Sequence, residues 1–250
     1  MQLLAEFLFR LSFGLAVAMA CTPTRFVPAG FFRAHSYVLL GLNVGALMAT
    51  LGSGAWPWWP AAGAAAASYA AAVASHYERP RLGNLCLSAS AALALIGAWA
   101  ASPLASGAPP ALVALTRIDA VSGGLLLGFT IAAMLLGHWY LNTPGMDLIP
   151  LRRLVVLMGV AIALRAVVCG AGLALQITGP GAPFSGWPMF VALRWLAGVF
   201  GLAGVTVMTW KTLEIPNTQS ATGILYVGVI GAFLGELAGL LLSAGGAFPV

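Results

Sequence analysis

Eight long apolar runs set what this chain can fold into. They lie near residues 3–21, 36–55, 58–76, 84–102, 118–140, 153–176, 188–210 and 220–243. Each is about 19–25 residues long, enough at ~1.5 Å of helical rise per residue to cross the ~30 Å hydrocarbon core of a bilayer. A transmembrane β-barrel would instead need roughly ten-residue segments of alternating polarity, and these runs do not alternate. Backbone inside lipid must find its hydrogen bonds within its own segment, which a helix achieves. Composition supports the same conclusion. The chain is 61% hydrophobic and 7% charged, against about 25% charged for a soluble domain. Its 31 glycines suit helices that approach closely in lipid. The expected fold is an all-α integral membrane protein: a polytopic bundle of about eight transmembrane helices, with short loops, forming one domain over residues 1–250.

Loop charges orient the bundle. Arg25, Arg33, Arg79, Arg81, Arg152, Arg153 and Lys211 fall in loops on one side, and only Arg117 falls in a loop on the other. The remaining basic residues, Arg10, Arg165 and Arg194, lie inside spans. Basic loops stay in the cytoplasm, so both termini are expected outside, with the protein in a bacterial inner membrane. The first run ends in Ala18-Met19-Ala20, which resembles a signal-peptidase site. No positive charge precedes it, however, and Glu6 and Arg10 interrupt it, so it reads as a retained span. Trp56, Trp58, Trp59, Trp139, Trp187 and Trp210 fall near expected interfaces, as an aromatic belt requires. The turn-rich stretches 105–110 and 179–183 read as external connectors with no room for a soluble domain.

The formal charge of +5 is explained by topology and does not point to nucleic acid. Cys21, Cys86 and Cys169 are odd in number, far apart and set in apolar sequence, so no disulfide framework and no metal site is expected. No phosphate-binding glycine loop, GxSxG, HExxH or CxxCH motif is present.

Two groups of residues could carry chemistry. The first lies on the basic side. His35 opens the second run, and His138 closes the fifth within Leu136-Gly137-His138-Trp139-Tyr140-Leu141-Asn142. Opposite ends of antiparallel helices bring both imidazoles to similar depth. Two histidines at one depth can bind a haem b iron from both faces, with Arg33, Arg152 or Arg153 beside the propionates. His76 reads as a loop residue. The second group is buried charge: Glu6 and Arg10, spaced i,i+4 on one face, with Arg165, Arg194 and Glu236. A charge at mid-bilayer costs at least ~2.5–3.5 kcal/mol, so these side chains should face the bundle interior and pair. The expected pairs are Glu6 with Arg10 and Arg194 with Glu236. Arg165 has no evident partner by residue count, and Asp119 belongs to the same buried-charge group, placed at the start of the fifth span with no partner assigned.

Three functions follow from these groups. The first is a membrane subunit of a respiratory or redox assembly that binds quinone or haem b, or scaffolds other membrane subunits. The second is a small-solute or ion transporter, weakened because no span looks broken at mid-membrane. The third is an integral membrane enzyme acting on a lipid through the His138-Trp139-Tyr140 region.

Overall fold

The computed structural model describes residues 1–54, 57–102, 108–143, 145–178, 186–246 and 248. Among the described residues every regular element is helical: α1 (Gln2–Cys21), α2 (Ala29–Ser53), α3 (Trp59–His76), α4 (Pro80–Ala101), α5 (Pro110–Asn142), α6 (Ile149–Thr178), α7 (Trp187–Trp195), a π-helical stretch (Leu196–Gly201), α8 (Leu202–Glu214) and α9 (Thr218–Gly245). Trp56 and the connector residues 105–107 and 179–183 lie outside the described residues.

Among the described residues, seven helices are long and apolar enough to cross a membrane: α1, α2, α4, α5, α6, the continuous Trp187–Glu214 helix and α9. The difference from the expected eight is α3, an 18-residue, alanine-rich helix of lower hydropathy. It packs between α2 and α4. A buried polar triad pins these three helices together. Asn43 on α2 donates through Nδ2 to Ser68 Oγ on α3 at 3.0 Å and to Ser90 Oγ on α4 at 3.4 Å. The two serine hydroxyls meet at 2.9 Å and both reach the Ala64 carbonyl. Asn43→Leu therefore removes a donor whose acceptors keep other partners. The expected loss is about 0.6–1.7 kcal/mol, the span measured for interhelical hydrogen bonds in lipid. Thermal unfolding of the detergent-solubilised protein checks it.

Helix starts differ from the sequence reading in a consistent way. α2 begins at Ala29 because Phe31 and Phe32 are buried in the core. α5 begins at Pro110, whose fixed φ and missing N–H suit a first helical turn. Asp147 Oδ1 accepts from Ile149 N at 2.9 Å and so starts α6. Arg152 and Arg153 are consequently helical rather than in a loop. His76 likewise closes α3 rather than lying in a loop. Asn217 caps α9, accepting from Ser220 N at 2.9 Å.

α1 and α5 form the centre and run parallel in close contact. A Cβ built on Gly14 would lie 1.6 Å from the Gly124 carbonyl oxygen, and one on Gly128 would lie 1.9 Å from the Gly14 carbonyl carbon. α9 runs antiparallel to α5. Gly123 faces Glu236, Thr130 faces Gly228, and Gly137 faces Thr222. The start of α1, the start of α5 and the end of α9 thus share one end of the bundle.

The seventh long helix is not regular. Leu196–Gly201 is π-helical, a local change of winding inside a span that stays continuous from Trp187 to Glu214. A Cβ on Gly235 would lie 2.5 Å from Gly198 Cα, so the wide turn sits where α9 touches its backbone. Single π-turns inside helices recur at functional sites. Here the turn begins two residues after Arg194.

Candidate functional site

The residue that organises the interior is Asp119, 2% exposed. Because α5 starts at Pro110, Asp119 stands roughly two and a half turns inside the helix and not at its edge. Its Oδ1 accepts from Arg165 Nη1 at 2.5 Å, and its Oδ2 is 2.8 Å from Arg10 Nη1. Arg194 Nη2 lies 3.6 Å from Oδ1. One carboxylate therefore gathers three guanidiniums from α1, α6 and α7.

Glu236 on α9 completes the inner shell. Arg165 grips it in a two-point fork, Nε to Oε1 at 2.7 Å and Nη2 to Oε2 at 2.9 Å. Such bidentate pairs are the strongest and most directional ion pairs. Arg165 Nη1 also donates to the Asp119 carbonyl at 3.0 Å and to Ser122 Oγ at 2.9 Å. Arg10 links the shell to Glu6, with Nη2 2.6 Å from Glu6 Oε1 and Nη1 3.6 Å from Glu236 Oε2. Ser102 Oγ, just past the end of α4, donates to the same Glu6 Oε1 at 3.1 Å. Two glycines make space for these heads. A Cβ on Gly123 would stand 2.3 Å from Glu236 Oε2, and one on Gly239 would stand 1.1 Å from Arg194 Nη1.

Three arginines and three acids balance in formal charge, which is how buried charges avoid the full desolvation penalty. Hydrogen bonding is not fully balanced. Among the described residues Glu6 Oε2, Arg10 Nε and Arg194 Nη1 are buried with no partner. Asp119 and Glu236 accept on both oxygens, whereas Glu6 accepts on one.

The expected Glu6–Arg10 pair is present. The expected Arg194–Glu236 pair is corrected: Glu236 is gripped by Arg165, and Arg194 donates through Nε and Nη2 to Cys169 Sγ at 3.2 and 3.0 Å. Arg165, expected to lack a partner, is the most heavily bonded of the three. The reason is reach. A long basic side chain carries its head group well away from its own Cα, so residue counting along helices misjudges which heads meet. Counting also missed Asp119 as the hub. The signal was present in a proline-led helix start eight residues before the expected one.

The histidines on the basic end are placed differently. His35 is buried, with Nδ1 2.7 Å from the Phe31 carbonyl oxygen and its ring packed on Phe31 and Trp139. His138 is exposed, with Nδ1 3.3 Å from Tyr226 Oη. A cavity of about 470 Å³ at this end is lined by neither. The arginines proposed for haem propionates have other contacts. Arg33 Nη1 lies 3.2 Å from His76 Nδ1, and Arg152 Nη2 donates to the Leu213 carbonyl at 2.7 Å. Arg153 is exposed. The Arg33 and Arg152 contacts tie helices together. Among the described residues no group of three or more histidine, cysteine or acidic side chains could hold a metal ion.

No protein-family model, curated protein or solved structure matches this chain.

Proposed function

We propose that this multi-pass protein is a small-solute or ion transporter in a bacterial inner membrane, and that its interior charge cluster binds the coupling proton. The observation that carries this reading is the half-satisfied carboxylate of Glu6. It is buried one turn from the start of α1 and joined through Arg10 to every other charge in the network. Arginine holds its proton and serves as a fixed counter-charge. A carboxyl oxygen with no donor can take up a proton without breaking an existing bond. Protonating Glu6 weakens its hold on Arg10, which then shifts toward Asp119 and Glu236. That couples a proton at one end of α1 to the packing of α5, α6, α7 and α9. Intramembrane acids in such settings commonly mark proton and ion routes. The π-turn after Arg194 supplies a helix whose local winding can change.

Glu6→Gln tests the reading. The amide oxygen can still accept from Arg10 and Ser102, and Arg10 keeps Asp119 at 2.8 Å, so the variant should remain folded at some cost in stability, while proton uptake at this position is lost. In proteoliposomes holding this protein alone, an imposed acid gradient should drive proton entry that Glu6→Gln abolishes. Equal flux in Glu6→Gln, or no flux in the unsubstituted protein, removes the proposal.

A second reading, a membrane subunit of a redox assembly, rests on His35. Its Nδ1 contact with Phe31 leaves Nε2 as the ring nitrogen for a further partner. A reduced-minus-oxidised spectrum lacking any b-type band in the gently solubilised protein would remove haem from that reading and leave quinone.

A further inference from the structure

From the cavity at the basic end of the bundle we infer a binding site for the phosphate headgroup of an anionic phospholipid. This site is separate from the charge cluster and does not depend on the transport reading. The cavity, about 470 Å³, is formed where the α1–α2 link, the α3–α4 link and the α5–α6 link meet. That volume falls in the ~300–1,000 Å³ range of small-molecule pockets. Arg25 from one link and Arg79 from another both line it. Arg25 stacks on the Phe26 ring, its Cζ 4.4 Å from the centroid, which presents the guanidinium as a flat fork. Guanidinium forks match phosphate oxygens in pairs. Ser75 and Asn84 add polar groups, and among the described lining residues Arg25 and Arg79 outweigh the single acid Glu78, which gives the wall a net positive charge.

The rest of the wall is apolar. Val27, Phe32 and Leu87 are buried beneath the polar rim. On α4, Leu82 and Leu85 flank Gly83 and Asn84 and are exposed, at 48% and 67%. The exposed leucines next to the α4 residues of the cavity wall give an outward apolar surface for an acyl chain, with the headgroup held by the two arginines. A free phosphate ion would use the forks and leave the apolar wall uncovered. A zwitterionic headgroup would bring its own cation toward Arg25 and Arg79.

Native mass spectrometry of the full chain in mild detergent, titrated with phosphatidylglycerol or phosphatidylcholine, tests this. One phosphatidylglycerol should be retained per chain, with preference over phosphatidylcholine. Arg25→Gln and Arg79→Gln should each weaken retention about tenfold, the scale of one charge-assisted hydrogen bond. Arg81→Gln and Arg153→Gln, on the same basic end but outside the cavity, should leave it unchanged. Asn84→Trp fills the cavity without touching its charge and should also abolish retention, which decides the matter if the arginine variants do not fold. The inference is overturned by equal weakening in the Arg81 and Arg153 variants, which signifies a diffuse basic surface. It is overturned equally by undiminished retention in Asn84→Trp, by retention of phosphatidylcholine as strong as that of phosphatidylglycerol, or by full displacement with an equal concentration of inorganic phosphate.

Discussion

Asp119→Ala should leave little folded protein. The substitution strips Arg165 and Arg10 of their shared carboxylate, at 2.5 and 2.8 Å, and removes the nearest acid to Arg194. Breaking one side of a buried ion pair costs about 3–5 kcal/mol, because the charge left behind is neither hydrated nor compensated. A loss of that size consumes a large part of the ~5–15 kcal/mol that holds a typical domain together. The yield of monodisperse protein in detergent, and its thermal midpoint, should both fall steeply. A paired substitution separates charge balance from packing. Arg165→Leu alone leaves Glu236 with only Arg10, 3.6 Å away. Arg165→Leu with Glu236→Leu removes one charge of each sign and leaves Asp119 beside Arg10. The double variant should be more stable than Arg165→Leu. If the two are equally unstable, the cluster is held by packing and not by balanced charge.

The second large effect is expected at Gly14. An alanine there would place its Cβ 1.6 Å from the Gly124 carbonyl oxygen and 2.9 Å from Gly128 N. Overpacking in a core usually costs about 1–3 kcal/mol because side chains can yield. At Gly14 the obstacle is backbone of the neighbouring helix, so α1 and α5 must separate along their length. The loss should reach or exceed the top of that range. Since α1 and α5 also carry Arg10 and Asp119, the same separation would pull the charge cluster apart. Gly41 and Gly204 provide the control, for an added Cβ meets nothing within 4 Å at either position. Alanine there should be tolerated, or raise stability by about 0.5–1 kcal/mol through the lower backbone entropy of the unfolded chain. A Gly14→Ala protein as stable as the Gly41→Ala protein would mean that the two helices are not in backbone contact.

Much of the membrane architecture was legible in the residues. Span positions could be read to within a turn or so at most boundaries, and the Glu6–Arg10 pair followed from i,i+4 spacing on one helix. Where the reading missed, the causes were local. α2, α5 and α6 begin before their apolar runs do, because Ala29 after Pro28, Pro110, and Ile149 after Asp147 start helices in sequence that is not yet uniformly apolar. α3 is carried by alanine, a good helix former, but Pro60, Ser68, Tyr69, Ser75 and His76 dilute its hydropathy. The π-turn at Leu196–Gly201 leaves no trace in periodicity, since it depends on contact with Gly235 of another helix.

The division between what sequence alone determined and what required tertiary structure follows from the range of the forces involved. Bilayer thickness and the need to satisfy backbone hydrogen bonds act on each segment separately. Helical class, span length, the inward placement of charge and the basic end of the bundle were therefore written into local sequence. Partner choice among the buried charges was not. Asp119, Arg165 and Glu236 come from three helices separated by dozens of residues. Which heads meet depends on close approaches such as Gly14 with Gly124, on the space left by Gly123 and Gly239, and on side chains whose heads lie far from their Cα atoms. Ion pairing at 2.5–2.9 Å is decided by differences far smaller than a helical turn, and only the packed bundle defines positions that finely.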